Sequence, residues 1–370
     1  MPSGQLTVIV SAGQSRNPEK RELEQAIVER AAALQGTQVL CIPHLYDLAK
    51  DGETYHTLRQ LEGDLVLVTW LFTRAAHWIL DRNGIRGQFG AVELEQEMDD
   101  ELEHGDELER HELHDERVTL AQPRPERTIY TLDFRASSEP QAFVDEIQRI
   151  AILSRATVAA RNSATPLTLE MLGHFEQPSN DTFVGSRSNL EASRPSEAAP
   201  AVSTLFGTSS VATLGEHPAR RWYPVIDFSR CTNCMECIDF CLFGVYGIDA
   251  LETIVVEQAD NCRKGCPACS RVCPQNAIIF PQHKTPAIAG SPVDVGGLKI
   301  DLSKLFGAPD DGEDAAAAAI RERDEQLLLA GRQAVGTSTG ISERLMNPIG
   351  RPHESDQLDA LIDQLDALDL

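Results

Sequence analysis

Short apolar runs alternate with an amphipathic segment near the start of the chain. Leu6 to Val10, Gln38 to Pro43 and Asp64 to Phe72 are largely apolar, as strands buried in a parallel sheet are. Glu19 to Leu34 carries apolar residues at a spacing of about 3.6, which predicts a helix. This alternation predicts an α/β doubly wound domain over residues 1–160.

An acidic insertion, residues 93–118, interrupts that domain. Glu93 to Glu116 holds thirteen acidic residues and one arginine. Like charges at this density repel one another, so we expect a solvated helix or a disordered insertion. The domain then resumes with a predicted strand at Thr128 to Phe134 and an amphipathic helix at Glu139 to Ser154, which complete the same sheet.

Two further regions lack this regular pattern. Residues 161–219 are rich in Ser, Ala, Thr, Pro and Gly and predict a flexible, low-complexity linker. Residues 286–370 predict an irregular and helical region with a helix at Glu313 to Leu329. The tail 356–370 is amphipathic, with leucines on one face and aspartates on the other. It either packs on its own domain or docks in the groove of a partner protein.

Eight of the nine cysteines lie in one stretch between these two regions. The first motif has the spacing x2-x2-x3, and the second has x3-x2-x3 followed by a proline. Their members are Cys231, Cys234, Cys237, Cys241, Cys262, Cys266, Cys269 and Cys273. Thiolates at this pitch wrap a turn of backbone around an iron–sulfur cluster.

Other uses of cysteine fit this spacing less well. A zinc ribbon takes four cysteines in two pairs, and disulfides accompany secretion, of which we find no sign. The spacing of Cys262, Cys266 and Cys269 taken alone is that of radical S-adenosylmethionine enzymes. A barrel of roughly 200 residues or more would have to accompany it, and too little chain follows Cys269.

The cysteine stretch resembles the bacterial two-cluster 2[4Fe–4S] ferredoxin family over residues 222–284, within a predicted α+β bacterial ferredoxin-like domain at 220–285. The resemblance implies two [4Fe–4S] clusters and crossed ligation, in which the fourth cysteine of each motif serves the other cluster. Cluster 1 would take Cys231, Cys234, Cys237 and Cys273, and cluster 2 would take Cys262, Cys266, Cys269 and Cys241. Phe240, Phe243, Tyr246 and Val272 would pack around them.

The N-terminal domain weakly resembles the small chelatases that insert metal into sirohydrochlorin. The resemblance rests on Gly13-Gln14-Ser15-Arg16 after the first strand and on His77-x3-Asp81 after the third. It implies that His77 faces a metal and macrocycle. No nucleotide fingerprint and no Ser-His-Asp or Cys-His arrangement accompanies these residues, so no catalytic residue is predicted. We expect Cys41 to be a buried small apolar residue.

The distribution of charge and of apolar residues limits the classes of partner that the protein is expected to bind. Most of the net charge of −24 lies in the acidic insertion and the tail, and there is no basic stripe to neutralise phosphates, which disfavours nucleic acid. No apolar run reaches the length of a membrane span, and the reduced cysteines favour the cytoplasm. The sequence therefore predicts a cytoplasmic carrier of single electrons between a low-potential donor and a redox partner protein. The alternative is a chelatase-like, tetrapyrrole- or metal-handling enzyme with the clusters as redox assistants.

Overall fold

The computed structural model describes residues 5–94, 117–122, 124–163, 209–291 and 315–340. The chain divides into two compact units. The first comprises Met1–Glu103 and Arg124–Arg220, and the second His104–Pro123 and Arg221–Leu370. The amphipathic tail 356–370, most of the acidic insertion and most of the predicted linker lie outside the described residues.

A six-stranded parallel sheet forms the centre of the first unit. Its strands are β1 (Leu6–Ser11), β2 (Thr37–Ile42), β3 (Leu65–Thr69), β4 (Gln88–Phe89), β5 (Thr128–Asp133) and β6 (Val211–Thr213). Their order is β4-β5-β3-β1-β2-β6, and every neighbouring pair is parallel. The chain passes from β1 to β2 on one side and returns to β3 on the other. The carboxyl ends of β1 and β3 therefore flank the point where the winding direction changes.

Helices connect these strands, as right-handed parallel crossovers require. The first unit contains α1 (Pro18–Ala32), α2 (Glu53–Arg59), α3 (Thr73–Arg82) and α5 (Pro140–Ser163), while α4 (Val118–Ala121) belongs to the second. Helix α1 begins where the side chain of Asn17 accepts a hydrogen bond from the Glu19 amide. The core between the sheet and α1 and α5 includes Val8, Val66 and Phe143, each fully buried. The predicted α/β doubly wound architecture agrees with this sheet.

The domain boundaries differ from the predicted ones in two places. Strand β6 lies inside the predicted linker 161–219 and pairs with β2, so part of that range is a sheet edge. Three residues are too short a pattern to stand out in a Ser- and Ala-rich context. The end of the predicted insertion, residues 117–118, belongs to the second unit and not to the first as predicted. The amides of Val118 and Thr119 donate to the carbonyls of Cys231 and Phe228 over 3.0 and 3.3 Å.

The second unit consists of two small antiparallel pairs and short helices. Its elements are β7 (Val225–Ile226), α6 (Glu236–Phe240), β8 (Tyr246–Ile248), β9 (Ile254–Val256), α7 (Ala268–Val272), β10 (Ile278–Ile279), α8 (Pro286–Ala289) and α9 (Ala315–Leu329). Strand β7 pairs with β10, and β8 pairs with β9 as a hairpin between the two cysteine motifs. Helix α9 starts two residues after its predicted start and packs along α7.

Within the described part of the chain, every helix is too short or too polar to cross a membrane.

Candidate metal centre

The loop that carries the first motif has an unusual backbone. Asn233 and Met235 both adopt left-handed conformations, with φ of 59° and 63°. Left-handed residues between right-handed ones turn successive N–H groups to one side and form a concavity that favours negative charge. The Asn233 amide accordingly donates to Sγ of Cys231 over 3.4 Å. Such a loop fits a site that holds thiolates and sulfide.

The side chain of Asn233 also ties this loop to the tip of the β8–β9 hairpin. Its Nδ2 donates to the carbonyl of Glu252 over 2.8 Å, and its Oδ1 accepts from the amide of Ile254 over 2.9 Å. The hairpin thereby holds the loop between Cys231 and Cys234 in place.

The second motif carries one more residue between its first two cysteines than the first motif does. That gap contains Gly265, whose φ of 87° is readily available only to glycine. The amide of Cys266 donates to the carbonyl of Arg263 over 3.0 Å, which closes a tight turn. The extra residue is therefore absorbed locally, and Cys269 follows on α7.

The thiols fall into two sets of four by their neighbours. Cys241, Cys262, Cys266 and Cys269 line one cavity together. The charge of Cys273 raises the pKa of Cys231 and of Cys237, as does the charge of Cys234. The fourth cysteine of each motif thus lies beside three cysteines of the other motif. We call the group with Cys273 the first set and the group with Cys241 the second set.

Burial controls the protonation of these thiols. Desolvation raises the pKa of Cys231 to about 11 and that of Cys266 to about 11. It also raises the pKa of Cys237, Cys262 and Cys269. A bound metal makes buried thiolates favourable at neutral pH, because metal ligation replaces the proton. The donor set therefore suits a soft metal centre.

The number and type of the donors bear on the kind of metal centre that could occupy this region. Among the residues that the structure describes, no group of three His, Cys, Asp or Glu side chains is arranged to hold a single metal ion. Each set supplies four thiols, and a [4Fe–4S] cluster takes one thiolate for each of its four irons.

Hydrogen-bond donors and a dry shell surround the sulfurs. The buried hydroxyl of Tyr246 donates to Sγ of Cys269 over 3.0 Å, and the amide of Ala277 donates to Sγ of Cys273 over 3.2 Å. Phe240 and Val272, which were expected to surround the clusters, are both 1% exposed. Such donors and such burial are the means by which a protein tunes an iron–sulfur centre.

The first set is the more accessible to solvent. Cys234 is exposed, whereas the other seven thiols are buried or half-buried. On the β8–β9 hairpin, which Asn233 ties to the loop before Cys234, Ile248 and Leu251 are exposed apolar residues, at 53% and 74%. The ninth cysteine, Cys41, lies half-buried in β2, and burial raises its pKa.

Gln14 and His77, which were expected to contribute to one site in the first unit, have different neighbours. Gln14 follows β1, and its Nε2 lies 2.5 Å from Oδ2 of Asp47 and 3.3 Å from Nδ1 of His44. His44 follows β2, and sequence reasoning gave it no role. Its position one residue beyond a proline that ends a buried strand was the available signal.

His77 lies within α3 and is only 1% exposed. Its ring stacks on Phe89 with centroids 3.6 Å apart, and its Nε2 lies 3.4 Å from Nη1 of Arg124. Burial, reinforced by the charge of Arg124, lowers the pKa of His77 to about 3. Asp81 lies 3.4 Å from the same arginine. Contrary to the expectation from sequence, His77 is thus enclosed rather than presented to a metal or macrocycle.

Comparison with known proteins defines the cysteine region as ferredoxin-like. The chain is 48% identical, over 66 residues, to an uncharacterized ferredoxin of Methanocaldococcus jannaschii. The match covers 18% of this chain and 44% of that protein, so less than half of the relative is represented. No family model matches the chain, and no solved structure matches it significantly. The remainder of the molecule has no counterpart in this comparison.

Proposed function

We propose that this protein carries single electrons on two [4Fe–4S] clusters. The observation that supports the proposal is that Cys241, the last cysteine of the first motif, lines one cavity with three cysteines of the second motif. The similarity to a ferredoxin supports the same chemistry. Cluster 1 is assigned to the first set and cluster 2 to the second. When bound, such clusters accept and release one electron each.

The residues of the chain supply the environment for that chemistry. They would hold eight thiolates, donate hydrogen bonds to sulfur and shield Cys266 and Cys269 from water. Because Cys234 is exposed, electrons would enter and leave at the first set when it holds a cluster. The exposed Ile248 and Leu251 provide an apolar contact for a redox partner protein at this point.

Crossed ligation makes a specific prediction for Cys273. Replacing it (Cys273→Ala) should remove the cluster that Cys231, Cys234 and Cys237 hold and leave the cluster of its sequence neighbours Cys266 and Cys269 intact. The comparison is Cys231→Ala, which removes the same cluster whatever the pairing. Electron paramagnetic resonance of the reduced variants should give the same remaining signal for both. A Cys273→Ala variant that keeps the signal lost in Cys231→Ala contradicts the assignment.

The tail 356–370 is proposed as a docking segment for the redox partner. Its leucines lie on one helical face of the sequence, as a groove-binding helix requires. Once a partner has been found with the full chain, a chain lacking residues 356–370 should bind it at least tenfold more weakly. Unchanged affinity would assign the tail to the protein's own fold.

A second candidate function rests on the cluster of Gln14, His44 and Asp47. These residues follow β1 and β2 at the carboxyl edge of a parallel sheet, where doubly wound folds bind ligands. The first unit would then handle a tetrapyrrole or its metal, with the iron–sulfur clusters as redox assistants. Sirohydrochlorin should bind the full chain with an affinity that His44→Ala reduces and His77→Gln leaves unchanged. Absence of binding removes this candidate.

A further inference from the structure

Helix α9 covers the second set of cysteines. It packs along α7, which carries Cys269, although more than forty residues separate α9 from the last cysteine in sequence. Its Arg323 is 1% exposed and lines the same cavity as the four thiols of the second set. A charged side chain is rarely buried to this extent unless it is held by partners.

Four contacts hold Arg323 in place. Its Nη1 donates to the carbonyl of Thr339 over 2.7 Å, and its Nη2 donates to the carbonyl of Gly336 over 2.5 Å. Its guanidinium carbon lies 4.6 Å from the ring centroid of Phe240. Its Nε lies 3.2 Å from Oδ1 of Asp324. Asp324 is more accessible than Arg323, so water screens its charge more strongly.

The neighbouring residue brings the opposite charge to the same place. Both carboxylate oxygens of Glu322 accept hydrogen bonds from Arg271 of α7, over 3.0 and 3.1 Å to Nε. Arg271 lies between the ligands Cys269 and Cys273. Glu322 thus places a negative charge against the helix that carries Cys269, and Arg323 places a positive charge at the cavity of the second set. Consecutive residues of one helix bring opposite charges to the same set of thiols.

The same charges bear on a cluster held by these thiols. One-electron reduction adds one negative charge to a cluster. A nearby cation stabilises the reduced form and raises the reduction potential, whereas a nearby anion does the reverse. Arg323 lines the cavity formed by the second set, so the influence of its charge is directed at that set.

We propose that α9 sets the reduction potential of cluster 2 through Glu322 and Arg323, which shift it in opposite directions, and leaves that of cluster 1 unchanged. This inference rests on the proposed function, because it presupposes clusters at both sets. It gives the segment beyond the ferredoxin-like region a role.

The test is a redox titration of the full chain, followed by electron paramagnetic resonance. Arg323→Met should move the potential of cluster 2 to a more negative value, and Glu322→Gln should move it to a more positive one. Arg323→Lys, which keeps the charge, should stay nearer the native potential than Arg323→Met does. The signal that persists in Cys231→Ala identifies cluster 2. Matched controls are Glu325→Gln and Arg321→Met, which remove the same charges at exposed positions of the same helix.

The possible results distinguish a failure of this inference about α9 from a failure of the proposed electron-carrier function. Loosening of the helix would admit water and shift the potential in one direction whichever residue is changed. Shifts of the same sign in Arg323→Met and Glu322→Gln, no shift in either, or an equal shift of cluster 1 would overturn the inference alone. A native protein without iron and sulfide would instead overturn the proposed function.

Discussion

Tyr246 is buried on β8, and its hydroxyl donates a hydrogen bond to Sγ of Cys269. Burial, together with the charge of Cys269, holds the pKa of Tyr246 well above its usual value, so the phenol stays protonated and remains a donor. A donor to a ligand sulfur stabilises the more negative, reduced state of a cluster.

Tyr246→Phe should therefore lower the potential of cluster 2. A hydrogen bond to a charged group contributes about 1.5–3 kcal/mol, of which only the difference between the two redox states counts. We expect a shift of about 60 mV at most, equivalent to ~1.4 kcal/mol for one electron. The measurement is a redox titration, with iron and sulfide content as the control for cluster assembly. A potential equal to the native one would show that this hydrogen bond does not tune the cluster.

His77 gives a prediction about stability and pH. Its pKa is lowered from 6.5 to about 3 in the folded chain, chiefly by burial. The unfolded chain therefore binds more protons between these two pH values. The contribution of neutral His77 is complete above pH ~6.5 and is lost as the pH falls toward 3, at a rate of about 1.4 kcal/mol per pH unit.

The variant His77→Gln should remove this part of the acid sensitivity. Its free energy of unfolding, measured with urea at several pH values from 7 to 4.5, should fall less steeply than that of the native chain. The control is His56→Gln, which makes the same replacement at an exposed position. Parallel curves for the native chain and His77→Gln would mean that His77 is charged in the fold.

At the scale of elements, the hairpin β8–β9 depends on Asn233. This residue supplies both a left-handed backbone and two side-chain hydrogen bonds to the hairpin. The substitution Asn233→Gly keeps the backbone conformation and loses the bonds. Asn233→Ala loses the bonds and adds about 1–2 kcal/mol of backbone strain.

The two substitutions should therefore weaken the retention of iron in cluster 1 to different extents. Under challenge with an iron chelator, loss of iron from cluster 1 should be slowest in the native chain, faster in Asn233→Gly and fastest in Asn233→Ala. Cluster 2 provides the internal control. If Asn233→Gly loses cluster 1 as slowly as the native chain does, the hairpin does not support the first motif.

The long regular elements are predictable from sequence, and the short ones are not. Strands β1, β2, β3 and β5 are apolar runs that the pattern alone identifies, and α9 begins and ends within two residues of its prediction. Strands β4 and β6 have two and three residues, too few for a period to emerge. Helix α2 was also missed.

In the candidate site, too, the sequence predicts some residues and not others. Cysteine spacing identifies all eight candidate ligands, because a cluster-binding loop requires a fixed number of residues between thiolates. The positions of Arg323 and Glu322 could not be predicted, since their helix is distant in sequence from the cysteines it covers. The expected role of His77 failed because a histidine after a strand can point into the core as readily as toward a ligand.

At the scale of the whole molecule, two compact units share one chain of 370 residues. The ferredoxin-like match covers a small part of it, and α9 adds a cover to that part which lies far along the sequence. In the electron carrier proposed above, the two cluster sites differ in access and in the charges placed beside them. The first is open at Cys234, and the second is enclosed by Arg323 and Tyr246.

Iron and acid-labile sulfide per chain, measured after anaerobic purification together with an electron paramagnetic resonance spectrum of the reduced protein, test this account most directly. The account predicts about eight irons and about eight sulfides, with two interacting signals from reduced [4Fe–4S] clusters. Stoichiometric zinc without sulfide would contradict it. The cysteine region would then be a structural scaffold, and the function would lie in the first unit.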